Sequence, residues 1–156
     1  MSTLYDPQQI SHSLTALLGR DSLAKDSKPT LKQAVSVAWY SDDNQDAKAG
    51  CICDVALSNF IGAALSMIPA GFARDCAKEG QLPDNTMDNL QEVYNIGAQW
   101  FDANNEDPVR LQKASFFDDG PPQDLLNVLS NAAHQRSFQI EISGYGKGTM
   151  TLFLLN

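Results

Sequence analysis

The sequence predicts an α+β fold: a mostly antiparallel or mixed sheet of about five to six strands packed with long helices. Two observations carry this. Around residues 10–18, 55–68, 70–78 and 86–101 apolar residues recur at three- and four-residue intervals or dominate outright, as in helices that bury a face. Between and after them lie Val-, Trp- and Phe-rich segments joined by short polar or glycine turns, the signature of hairpins. At 156 residues, 43% hydrophobic and 19% charged, the chain is long enough to bury a core without disulfides, so one domain over residues 1–156 is expected.

The elements follow in order. Asp6-Pro7 starts the first helix, with Asp as N-cap and Pro where a missing N–H costs nothing. Ile10, Leu14, Leu17 and Leu18 line its buried face, His12 lies on its polar side, and Gly19 offers the stop. Residues 20–30 read as a connector. Residues 32–40 form a strand with Val35, Val37 and Trp39 on one face, and residues 49–53 form a second. The acidic loop between them lacks the alternation and closing Glu of a calcium loop and is a solvated turn.

Asp54 caps a helix so apolar that it must be buried, and Pro69 interrupts it. Residues 70–78 continue as a helix ending near Gly80. Residues 81–85 lead into the helix of residues 86–101, which the 104–108 cluster ends. Residues 109–117 form a strand in which Val109, Leu111, Lys113 and Ser115 alternate with Arg110, Gln112, Ala114 and Phe116. A short helix runs from about residue 125 to His134, its end capped by His134 or Gln135. Residues 137–143 and 149–155 close the chain as a hairpin around Gly144-Tyr145-Gly146-Lys147-Gly148. That glycine run is a turn and not a phosphate cradle, because a strand follows it where a cradle needs a helix N-terminus.

Composition excludes several functions. A net charge of −8, with no basic stripe among eleven Lys and Arg, argues against nucleic acid. No apolar run is long enough to span a membrane, and residues 1–9 lack the pattern of a secretory signal. Cys51, Cys53 and Cys76 form no disulfide framework and read as reduced core thiols, so a cytoplasmic location and no metal of the chain's own are expected.

The helix of residues 86–101 organises the rest. Met87, Leu90, Val93, Tyr94, Ile96, Gly97, Trp100 and Phe101 follow the helical period, while Asp88, Glu92, Asn95 and Gln99 fall 4, 3 and 4 residues apart on another face. A carboxylate and a carboxamide three residues apart can act as a pair, one holding a partner and the other aiming a water. The same residues would equally line an ordinary solvated face.

Asp88-x-x-x-Glu92-x-x-Asn95, followed by Ile96-Gly97, resembles the active-site helix of the CheC/CheX/FliY family. The order of elements is similar to a single-site CheX-type protein over nearly all of the chain. Ser58-Asn59 resembles the polar pair of the family's other helical repeat, but no Glu stands three residues before Asn59, so that helix is read as core. The chain also departs from the family downstream. The family's proline closes the pattern earlier than Pro121, which follows Asn95 after 25 intervening residues, and Trp100-Phe101 stand where small residues are expected.

The resemblance implies a phosphatase that hydrolyses the phospho-aspartate of a CheY-type response regulator. Asn95 would align the attacking water and Glu92 would pair with a lysine of the receiver domain. Asp88, placed in the first helical turn, would favour the helix N-terminus or touch the partner's rim. Gln91 and Gln99 are expected to contact the partner. Mg²⁺ would come with the response regulator, the chain would bind no cofactor, and a homodimer is expected. Two other readings stay open: a non-catalytic adaptor that binds a receiver or another signalling protein, and a structural module that dimerises through its sheet. Burial separates them, since an exposed Glu92/Asn95 face suits the first two and a face covered by a second copy suits the third.

Overall fold

A computed structural model describes residues 3–155. The first two positions of the segment read for a secretory signal, and the last position of the expected domain, lie outside the described residues. Among the described residues five α-helices pack with one six-stranded sheet in which every neighbouring pair is antiparallel. In chain order the helices are α1 (Pro7–Leu18), α2 (Val55–Leu65), α3 (Ala70–Lys78), α4 (Asp84–Ile96) and α5 (Gln123–Ser130). The strands are β1 (Ser22–Asp26), β2 (Ala34–Ser41), β3 (Ala47–Asp54), β4 (Arg110–Phe116), β5 (His134–Ile142) and β6 (Gly146–Leu154), in the spatial order β1-β5-β6-β3-β2-β4.

The two faces of the sheet carry unequal layers. Ala38, Tyr40, Cys51, Cys53, Leu152 and Leu154 point into the main core with α1 to α4. The alternate residues Val37, Ile52 and Phe153 meet Leu125 and Leu129 of α5 on the opposite face. A strand's period of two sends successive side chains to opposite layers. Trp39 belongs to the α5 side, its ring edge-on to Phe153 at 5.6 Å between centroids.

Local chemistry sets several boundaries. Asp6 and Gln9 form a reciprocal capping box, with Asp6 Oδ1 accepting from the Gln9 N–H at 2.8 Å and Gln9 Oε1 from the Asp6 N–H at 2.9 Å. Gly19 takes the left-handed conformation that ends α1, φ 69°. Asp54 caps α2 through the Leu57 N–H at 2.8 Å and also accepts from the Thr149 N–H of β6. Gln135 donates to the Leu129 carbonyl near the end of α5.

Five expectations need correction. Residues 22–26, read as connector, form β1. This edge strand has no β-branched or aromatic residue, and its partner β5 defines it, with a bidentate Arg136–Asp26 pair at 2.9 and 3.1 Å. His134 is not the end of α5 but the first residue of β5. The apolar helix of residues 55–68 stops at Leu65, before Met67 turns to φ 60°. Residues 144–148 are not all turn, since β6 begins at Gly146. The strict alternation read for β4 is broken where Tyr40 pairs with Leu111 but Trp39 with Lys113. The skipped residue, Gln112, brings Leu111 to the same core as Ala114 and Phe116.

Candidate functional site

The site is built on α4. The helix begins at Asp84, two residues earlier than expected, behind Pro83, whose fixed φ suits a helix entry. Asp84 is therefore the acidic residue of the first turn, and Asp88 lies in the second, where the charge of the helix end has largely faded. Thr86, Leu90, Val93 and Tyr94 are buried against α2 and the sheet. The α-helix ends at Ile96. Residues Gly97–Phe101 tighten into 3-10 geometry, so the single helix expected over residues 86–101 is two kinds of helix in sequence.

Trp100 and Phe101 account for that change. Both are fully buried, and the Trp100 indole lies over Gly97, where a Cβ would fall 2.7 Å from the ring. Trp100 Nε1 donates to Ser13 Oγ of α1 at 2.9 Å, and the Phe101 ring stacks at a tilt on Tyr40, 4.6 Å between centroids. The large residues that depart from the family pattern are thus inside the core. They fasten the end of α4 to α1 and the sheet.

On that outer surface the structure brings together Asp88, Gln91, Glu92 and Asn95, all exposed. None of their side chains has a hydrogen bond or ion pair among the described residues. α4 carries no Lys or Arg, so Asp84, Asp88 and Glu92 are its only charges and its exposed face is net acidic. Gln99 does not stay in this strip. With roughly 120° per residue in a 3-10 turn against roughly 100° in an α-helix, it rotates toward the N-terminal segment, where Tyr5 Oη lies 3.5 Å from its Oε1. Ile96 is the other exception to the expected pattern. It is 41% exposed and, with Gln99, lines an open groove of about 540 Å³ whose far wall is Gln9, His12 and Leu17 of α1.

α4 is held to its neighbours by polar contacts that the sequence reading did not find. Asn89 Nδ2 donates to the Gly62 carbonyl at 2.9 Å and to Ser66 Oγ at 2.6 Å, tying α4 to α2. Gly62 allows this approach, since a Cβ there would meet Thr86 Cγ2 and the Thr86 carbonyl oxygen at 2.6 Å. Tyr40 Oη donates to the Tyr94 carbonyl at 2.5 Å, and Tyr94 Oη shares a hydrogen with Ser36 Oγ at 2.6 Å. Ser36 in turn meets Ser58 of α2 at 3.1 Å. The only sequence signal for this group is Ser36 and Tyr40 at even spacing on one face of an otherwise apolar strand.

Ser58 and Asn59 are buried. Asn59 Nδ2 donates to the carbonyls of Val55 and Gln81, at 2.9 and 2.8 Å, so this pair stitches the core and presents nothing to a partner. Pro121 stands just before α5, which covers the sheet face opposite α4. Burial pushes the Tyr40, Tyr94 and Cys51 groups well above their ordinary values, so all three stay protonated. Among the described residues no three His, Cys, Asp or Glu side chains are grouped to hold a metal, and no helix is long and apolar enough to cross a membrane.

No family model and no curated protein matches this sequence. Solved structures do. CheX from Borrelia burgdorferi, in a CheX-CheY-BeF3-Mg complex, superposes with a TM-score of 0.51 at 8% identity, over 94% of this chain and 92% of that one. The FliM middle domain from H. pylori gives 0.47 at 11% identity over 96% and 84%, and FliY from Thermotoga maritima gives 0.44 at 14% over 93% and 81%. At such identities the likeness to CheX is one of fold, and it is the fold that the sequence resemblance implied.

Proposed function

We propose that this chain, which has the CheX fold, is a phosphatase for the phospho-aspartate of a CheY-like receiver domain, which docks on the exposed face of α4. One observation carries the reading. Glu92 and Asn95 project side by side, exposed and unpartnered among the described residues, from a helix held on its flanks by Asn89 and Tyr94 and at its end by the Trp100 turn. Two solvated groups on a loose helix would have little use; on a fastened one they form a template. The acidic face of α4 complements a cationic partner surface.

The chemistry required of the chain is positioning. A water attacks phosphorus in line, the bond from phosphorus to the aspartyl oxygen breaks, and phosphate and a free carboxylate leave. Asn95, with a carbonyl oxygen and an amide N–H₂, can accept from that water and donate to a phosphoryl oxygen. Glu92 pairs with the receiver's lysine and sets the docking register. Mg²⁺, when bound, is held by the receiver and neutralises charge there. Gln91 and Asp88 contact the partner's rim. Gln99, turned toward Tyr5, contacts the partner beside the α1 groove. The active species is proposed to be a homodimer, which light scattering tests.

The deciding experiment follows phosphate release from a phosphorylated receiver. Asn95→Ala is expected to bind the receiver but to lower turnover by about 10²-fold, the scale on which misaligned reactants lose rate. Glu92→Ala is expected to weaken both binding and turnover. Unchanged rates in both variants would refute the assignment. A wild-type chain that retains the receiver without speeding hydrolysis would make it an adaptor, and a Glu92/Asn95 face protected by self-association would make it a structural module.

A further inference from the structure

We infer that Tyr40 is a positioning residue for Asn95, its hydroxyl holding from beneath the turn of α4 that carries the carboxamide. The inference rests on the phosphatase reading for its kinetic consequence and on geometry alone for its structural one.

The last four carbonyls of a helix lose their regular donors, and the backbone there is the part most able to change its pitch. Tyr94 is one of these positions, directly before Asn95. Its carbonyl accepts from Tyr40 Oη, and its own hydroxyl is bonded to Ser36. Both partners belong to β2, a strand flanked on each side by another, so Tyr94 is pinned at backbone and side chain by one rigid element. Asn95 follows Tyr94 by roughly 100° around the helix, so fixing one fixes the direction of the other.

The chemistry of the pin is informative. Tyr40, Tyr94, Ser36 and Ser58 are at or near zero exposure, inside the main core, with Cys51 and Cys53 beside the tyrosines and Phe101 stacked on Tyr40. Phenylalanine and alanine would fill such space as well, because replacing both partners of a buried hydrogen bond by apolar groups can be neutral. What the hydroxyls add is direction: a satisfied buried network selects one arrangement among several that packing alone would tolerate. Because burial keeps both tyrosines protonated, the Tyr40 donor persists at any working pH.

The test compares Tyr40→Phe with Tyr145→Phe in the full chain. Tyr145 provides the control because its hydroxyl also donates to a backbone carbonyl, Ile68 at 2.6 Å, away from α4. Each substitution deletes one oxygen and leaves its ring in place, and circular dichroism verifies that both fold. With a phosphorylated receiver, Tyr40→Phe is expected to lower kcat about tenfold at unchanged KM, while Tyr145→Phe keeps both. Equal losses in the two variants, or a Tyr40→Phe kcat within about twofold of wild type, would overturn the inference. Side-chain amide NMR supplies an arm free of activity. Tyr40→Phe should shift or broaden the Asn95 amide pair and spare that of Gln91, and an unmoved Asn95 pair would overturn the inference. Should the wild-type chain hydrolyse nothing, the phosphatase reading fails and this arm still decides the positioning.

Discussion

Gly62→Ala adds one methyl group where α2 packs directly against Thr86 of α4. That carbon would lie 2.6 Å from both Thr86 Cγ2 and the Thr86 carbonyl oxygen, whereas non-bonded carbons settle about 3.5–4.0 Å apart. The methyl group of Thr86 can rotate away, but its carbonyl belongs to the backbone of α4. The helices must therefore part by about 1 Å. Overpacking of this kind costs about 1–3 kcal/mol, and the better helix propensity of alanine returns up to about 1 kcal/mol. A net loss of up to about 3 kcal/mol lowers Tm by roughly 2–4 °C for each kcal/mol in a domain of this size. The bonds from Asn89 to Gly62 and Ser66 stretch with the displacement, and Asn95 moves with its helix. A shift of about 1 Å at a catalytic group costs about 10²-fold in rate, so turnover should fall far more than stability does. Urea unfolding followed by Trp39 and Trp100 fluorescence, beside phosphate release, reads both quantities. A variant more stable than wild type, with its rate intact, would mean that the helices are not in this contact, and the reasoning would fail.

Trp100→Ala removes a fully buried indole and its bond to Ser13, and should cost about 3–5 kcal/mol by chemical denaturation. A loss below about 1 kcal/mol would show that the 3-10 turn is not held as described. Burial raises the Asp54 carboxyl above its ordinary value although the Leu57 and Thr149 N–H groups work against it. The folded chain then binds this proton more tightly than the unfolded one, so the contribution of Asp54 to stability falls as pH rises from the ordinary carboxylate range through the raised value. The stability difference between wild type and Asp54→Asn, which retains an N-cap, should shrink or reverse over that window, and a difference that grows with pH would contradict the burial argument.

What the sequence determined by itself was whatever depends on neighbours a few residues away. Asp6, Pro7, Gln9 and Gly19 mark α1 because capping groups act within one turn, and Asp54 marks α2 for the same reason. That Asp88, Glu92 and Asn95 share one face was legible because a period of 3.6 residues assigns faces before any partner is known, whereas the same period wrongly kept Gln99 with them. Tertiary structure decided the rest. Ser22–Asp26 became a strand because β5 presents a free edge, which no residue inside the segment announces. Gln99 left the strip and Ile96 came to line a groove because Trp100 found its pocket between α1 and the sheet. The contacts that aim Asn95 join Tyr94 to Tyr40 and Ser36, 54 and 58 positions away. A helix's own period fixes which side chains face water, but only its packing against distant strands and helices fixes where they point.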